Sequence, residues 1–265
     1  MVFEQLFRER WLEKKPRHAF LLAVICSLIG IVSALFIFGS NPGLMSVAFT
    51  SLLLLPTLNI LLSHEENVEI RENKLSLHML FKDHKDIFEI YIFLFLGIFT
   101  AYSLIALLSP HSQAIFTEQL AVAGLAGSAL NPQFIKTVLL NNLAVLFWCF
   151  ALSLVYGAGS ILFLTWNASA WGVIFGYIAR HSAASTNQSP LIAFAITILP
   201  ILPHMITEAA SYISAAIVGG VVSKAALRED LGSKKFNHVI TDALIFCVIA
   251  LVLVFIAAII ESLVF

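Results

Sequence analysis

Charge is scarce in this chain. Asp, Glu, Lys and Arg supply 12% of its 265 residues, about half of the roughly 25% usual in a soluble globular domain. The two signs nearly cancel, with 15 Lys and Arg against 16 Asp and Glu. With no long basic run besides, no nucleic-acid partner is expected. Cysteine is almost missing as well. Cys26, Cys149 and Cys247 lie far apart inside apolar segments, where they read as small buried hydrophobes rather than as a disulfide or a metal set. The sequence contains neither an HExxH zinc motif nor a GxSxG nucleophile elbow. It also lacks a convincing internal repeat, so sequence symmetry gives no support to an inverted-repeat transporter.

What remains is apolar: 60% hydrophobic residues, 22 of the 265 being Phe, with a mean hydropathy of +0.94. That composition predicts an all-α fold, a polytopic transmembrane helical bundle of about 5–7 spans with possible re-entrant segments. Residues 1–265 read as a single integral membrane domain whose surrounding is the lipid bilayer. Residues 1–18 carry Arg8, Arg10, Lys14, Lys15 and Arg17. They are too long and too charged for a signal-peptide n-region, and the apolar run that follows is too long for an h-region, so an uncleaved first span is expected.

Runs of about 20 apolar residues mark helices over 19–39, 44–63, 88–109 and 240–264. Ser40-Asn41-Pro42-Gly43 is a tight turn that makes the first two a hairpin. Residues 136–180 are too long for one span, because a helix of that length overshoots the bilayer about twofold. Gly157-Ala158-Gly159-Ser160 is the place to fold it, giving 136–156 and 160–180. Pro200 and Pro203 interrupt 190–223. They leave a short re-entrant or interfacial piece (190–202) and a full helix from near His204. Residues 110–135 are expected on the surface.

Lys and Arg gather before the first span, in 64–87 and in 224–238, while 110–135 holds none before Lys136. The positive-inside rule therefore predicts a cytoplasmic N-terminal segment (1–18) and a cytoplasmic amphipathic loop (64–87) in the cell membrane. Seven crossings satisfy this distribution, as do five or six if the middle pieces are re-entrant. Leu75 to Phe88 interleaves His78, Lys82, His84 and Lys85 with apolar residues, a pattern suited to the headgroup surface.

Inside these apolar stretches a few polar residues stand out. His204 and Glu208 are four apart, on one helical face. An ionisable residue in a span costs about 2.5–3.5 kcal/mol or more unless it is paired or faces a polar cavity. Three readings apply to the pair: a packing lock, a polar cavity handling a proton, ion or solute, and a metal or catalytic site. The last is short of ligands, since zinc takes three or four and two are visible here. No cofactor is predicted. Desolvation favours the neutral forms and mutual attraction the charged ones, so sequence leaves the protonation state open. Asn141, Asn142 and Asn167 are the other candidate polar residues, and the Asn167 amide is expected to bond another helix, beside His204 or Glu208. Ser211, Ala215, Gly219 and Ser223 recur every four residues as a stripe that lets helices approach closely. The stripe fits an internal helix contact or a dimer seam. Trp166 and Trp171 fit packing roles or interface anchoring.

Several stretches resemble the stage II sporulation protein M family, especially its archaeal membrane-protein branch. They are the opening Met-Val-Phe-Glu-Gln-Leu with Glu13-Lys14-Lys15-Pro16, Phe81-Lys82-Asp83-His84 leading into Ile92 to Gly97, Asn141-Asn142-Leu143, Tyr156-Gly157-Ala158-Gly159 and Leu164 to Ala168. His204 and Glu208 match the family's His-x-x-x-Glu position, with Met205 standing where glycine is usual. The resemblance implies a polytopic membrane fold without enzymatic motifs of its own. The bacterial namesake is linked to a septal complex with peptidoglycan-degrading partners, a role that transfers poorly to a chain of the archaeal branch. What the resemblance implies is a membrane-embedded anchor, scaffold or assembly component. Membrane-protein partners or a second copy of the chain are the expected partners. Transport past His204 and Glu208 is the alternative function, and intramembrane hydrolysis a third.

Overall fold

Apolar runs in a bilayer have few solutions. Without water to satisfy the backbone, each must close its own hydrogen bonds, and a helix does so within a single segment. The computed structural model describes residues 15–39, 42–69, 84–123 and 132–264, with the backbone alone for 64–69, 123, 132–138 and 262–264. The described residues contain helices and no strand. Among the described residues, seven helices are long and apolar enough to cross a membrane.

The first two, α1 (Arg17–Ile37) and α2 (Pro42–Glu69), pack along each other as a hairpin. Their backbones come close at Gly30, where an added methyl group would stand 2.5 Å from Thr50 Oγ1 and 2.9 Å from Thr50 N. Pro56 sits within α2, tolerated as prolines in membrane helices are when neighbours re-satisfy the freed backbone. Next comes α3 (Lys85–Leu108), which packs against α1 on one side and against a later helix on the other. Two short helices follow, α4 (Ser112–Ile115) and α5 (Thr117–Ala123). Of the stretch 110–135 expected on the surface, residues 124–131 lie outside the described residues, and over 110–122 the expectation holds for one face only. Phe116 and Gln119 are fully buried, and Gln119 Nε2 donates to Gly43 O across 3.0 Å, tying α5 to the start of α2.

The long apolar stretch folds where glycine permits it. Helix α6 (Pro132–Tyr156) ends at Gly157, whose φ is +65°, a left-handed conformation that side chains disfavour. A 3₁₀ turn over Ala158–Ser160 leads into α7 (Ile161–Thr186). The turn is held from outside by Asn59 Oδ1, which accepts from Ala158 N at 3.3 Å. Helix α7 packs on α3, with Gly172 and Gly176 against the Phe99 and Ser103 carbonyls.

The piece before His204 is α8 (Pro190–Ile198), nine residues lying against α7. At 1.5 Å per residue it is too short to cross a bilayer. A turn through Pro200 then opens α9 (Leu202–Arg228), with Pro203 at its first positions, where a missing N–H costs nothing. The last helix is α10 (Lys234–Val264). Of the seven spans α9 is the most enclosed, with 83% of its apolar window buried, against 22% for α6 and 28% for α10. It is the axle of the bundle. The expected N-terminal segment lies outside the described residues except for 15–18. The stretch from Leu75 to Phe88 lies outside them up to Asp83.

Candidate functional site

The cluster forms where the start of α9, the end of α10 and the first half of α6 converge. Successive turns of α9 bring His204, Glu208 and Tyr212 onto one face at i, i+4 and i+8, and all three are buried. His204 Nε2 stands 3.0 Å from Glu208 Oε2. Tyr212 Oη donates to Glu208 Oε1 at 2.8 Å. From α6, Asn142 Nδ2 donates to Glu208 Oε2 at 3.1 Å. Both oxygens of this carboxylate are therefore engaged.

Helix α10 contributes twice. The Ala257 carbonyl lies 3.1 Å from His204 Nδ1; a carbonyl can only accept, so the proton is on Nδ1 and Nε2 faces the carboxylates. Glu261, one turn further on, brings its Oε2 to 3.7 Å from His204 Nε2. That oxygen is buried and, among the described residues, has no hydrogen-bond partner. Single ligand-type atoms of His204, Glu208 and Glu261 can be chosen that all lie within 4.8 Å of one another. The Trp171 ring closes the other side, its centroid 6.2 Å from that of His204. It also packs edge-on to Phe95 at 5.6 Å, so its surroundings are those of a core residue. Trp166 is likewise part-buried against the core.

The other polar candidates sit differently. Asn141 is exposed and reaches the cluster only through its neighbour, Nδ2 donating to Asn142 Oδ1 at 3.3 Å. Asn167 donates to Phe163 O in its own helix at 2.8 Å, where a bond to another helix was expected. A donor on a helix finds the carbonyl one turn back without any tertiary partner. Ser211, Ala215, Gly219 and Ser223 are all buried in α9. At Gly219 an added methyl group would stand 2.6 Å from Phe150 O and 2.8 Å from Ser153 Cβ, so α6 and α9 meet there almost backbone to backbone.

The family model described as Stage II sporulation protein M matches residues 90–264. The chain belongs to that family. No curated protein and no solved structure matches it. In this member of the stage II sporulation protein M family, a multi-pass membrane protein, the matched region runs from within α3 to the end of α10. All residues of the polar cluster fall inside it, and the α1–α2 hairpin falls outside.

Glu261 and Tyr212 belong to the polar cluster, and the sequence alone did not single them out. Tyr212 had a signal, continuing the spacing from His204 through Glu208. Glu261 had a weaker one: it and Asp242 are the two charged residues within the apolar run 240–264.

Proposed function

We propose that this chain is a non-enzymatic anchor or assembly component of the cell membrane, one membrane domain with its N-terminus in the cytoplasm. The observation that carries this reading is the closure of the polar cluster. Asn142, His204, Glu208 and Tyr212 direct their hydrogen bonds to one another and to Ala257, which suits a lock between α6, α9 and α10 better than a surface presented to a solute. The outer faces of the flanking helices carry exposed Phe147, Trp148 and Val155 on α6 and Leu244, Val248 and Phe255 on α10. Such faces suit acyl chains, membrane-protein partners or a second copy of the chain. One apolar core shared by residues from α1 to α10 supports the single domain. The distribution of Lys and Arg supports the orientation.

Cross-linking in native membranes tests the reading. The expected result is a product larger than one chain, diminished by Glu208→Gln. A chain that stays single, or an assembly that survives Glu208→Gln while a solute flux is lost, overturns it. The flux outcome belongs to the transport reading, which one observation favours: Glu261 is less enclosed than its partners, its side chain 14% exposed against 8% for His204 and 6% for Glu208.

A further inference from the structure

We infer that His204, Glu208 and Glu261 form a binding site for one divalent transition-metal ion of the zinc class, clamping the start of α9 to the end of α10. The inference is independent of the anchoring role; either can fail while the other stands.

Geometry is the first argument. The three donors come from two helices and are already gathered, with Nε2 at 3.0 Å from Glu208 Oε2 and 3.7 Å from Glu261 Oε2. Zinc bonds imidazole nitrogen and carboxylate oxygen at about 2.0–2.2 Å, which places tetrahedral ligands roughly 3.2–3.6 Å apart. The two separations from Nε2 bracket that spacing, and one ligand-type atom from each residue can be chosen so that all three lie within 4.8 Å of one another.

The surrounding groups give the second argument. A metal-binding histidine usually donates its other ring N–H to a carbonyl or carboxylate, which fixes the tautomer and aims the free nitrogen. His204 does this through Nδ1 to Ala257 O. A ligating carboxylate is usually held by donors of its own, and Glu208 is held by Asn142 and Tyr212. Each could serve a packing lock alone, but Glu261 reaches that lock only through the longer 3.7 Å contact with His204 Nε2, and its buried Oε2 accepts no hydrogen bond from the described residues.

Charge balance is the third. With both carboxylates ionised, the cluster carries a net negative charge even when the ring is protonated, in a setting where unpaired charge is costly. A divalent ion with a neutral imidazole and two carboxylates sums to zero. The donor set of one nitrogen and two oxygens suits zinc, iron, manganese or cobalt rather than copper(I), which favours thiolate and thioether ligands. Three protein ligands leave one position for water, the pattern of an open zinc site rather than a fully closed one.

The test uses the full chain, purified in detergent, freed of its affinity tag, stripped with a chelator, reloaded with Zn²⁺ and desalted. Elemental analysis is expected to find about one equivalent per chain. Glu261→Gln removes the ligand that lacks a hydrogen-bond donor and so disturbs the fold least. It is expected to weaken Zn²⁺ binding roughly tenfold to a hundredfold, while Asn167→Ala, outside the cluster, leaves it unchanged. Loading the unmutated chain with Co²⁺ avoids reliance on any variant, and visible bands of four- or five-coordinate cobalt are expected. Zinc lost on desalting, a Glu261→Gln affinity equal to that of the unmutated chain, or a six-coordinate aqueous cobalt spectrum each overturns the inference.

Discussion

His204 Nδ1 lies 3.1 Å from the carbonyl oxygen of Ala257, 53 residues further along the chain. That contact joins the most enclosed helix of the bundle to its last helix, and it orients the imidazole toward two carboxylates. Helix α6 enters the same cluster through Asn142. The three helices are therefore coupled through one carboxylate, Glu208, and substitutions there separate a coupled cluster from an incidental one.

Glu208→Ala would leave His204 Nε2, Asn142 Nδ2 and Tyr212 Oη without their partner at once. Breaking a buried ionic or hydrogen-bonded cluster from one side costs about 3–5 kcal/mol. Glu208→Gln keeps the shape and one accepting oxygen, and is expected to cost about 1–3 kcal/mol. Unfolding monitored in mixed detergent micelles reads both. Equal stabilities for the two variants would show that the hydrogen bonds contribute nothing beyond side-chain volume.

Asn142 and Asn167 separate by partner. In a double-mutant cycle with Glu208→Gln, Asn142→Ala is expected to show a coupling of about 0.6–1.7 kcal/mol, the range for interhelical polar bonds in membrane. Asn167→Ala is expected to show none, because its amide bonds Phe163 within α7. A coupling at Asn167 as large as that at Asn142 would contradict this arrangement.

This contrast shows what was legible in the sequence. The seven spans lie close to where the apolar runs predict them, because a run of that length in lipid has one economical solution. The turn at Gly157 was legible because the alternative was a helix twice as long as the bilayer. The pair of His204 and Glu208 was legible because helical spacing is local. Glu261 was not, since nothing in its neighbourhood records that the end of α10 returns to the start of α9. Asn167 was misjudged for a related reason: an amide in an apolar span needs an acceptor, but its own helix offers one.

Gly219 tests the packing beneath the cluster. An added methyl group would stand 2.6 Å from the Phe150 carbonyl oxygen, a backbone atom that cannot swing aside. Gly219→Ala is expected to lower stability by about 1–3 kcal/mol, the usual cost of overpacking. Gly39→Ala is the control, since among the described residues nothing lies within 4 Å of the added atom there. If both alanines behave alike, the close approach of α6 and α9 is not a determinant of stability.

Sidedness follows from the two ends of α9. Leu202–Arg228 contains 27 residues, about 40 Å of helix, enough to cross the hydrocarbon core. Ser189, just before α8, and Leu231, just after α9, are therefore expected on opposite faces of the membrane. Both are exposed. Lys224, Arg228, Lys234 and Lys235 gather at the Leu231 end, so the positive-inside rule assigns that end to the cytoplasm and the polar cluster to the outer half. The native thiols make a low background, Cys26 and Cys149 being buried and Cys247 partly so. In intact cells, a membrane-impermeant maleimide is expected to label Ser189→Cys directly and Leu231→Cys only after permeabilisation. The reverse pattern would invert the orientation while keeping the fold. Labelling of both from one side would mean that α9 does not cross, and the lock would then lie outside the membrane.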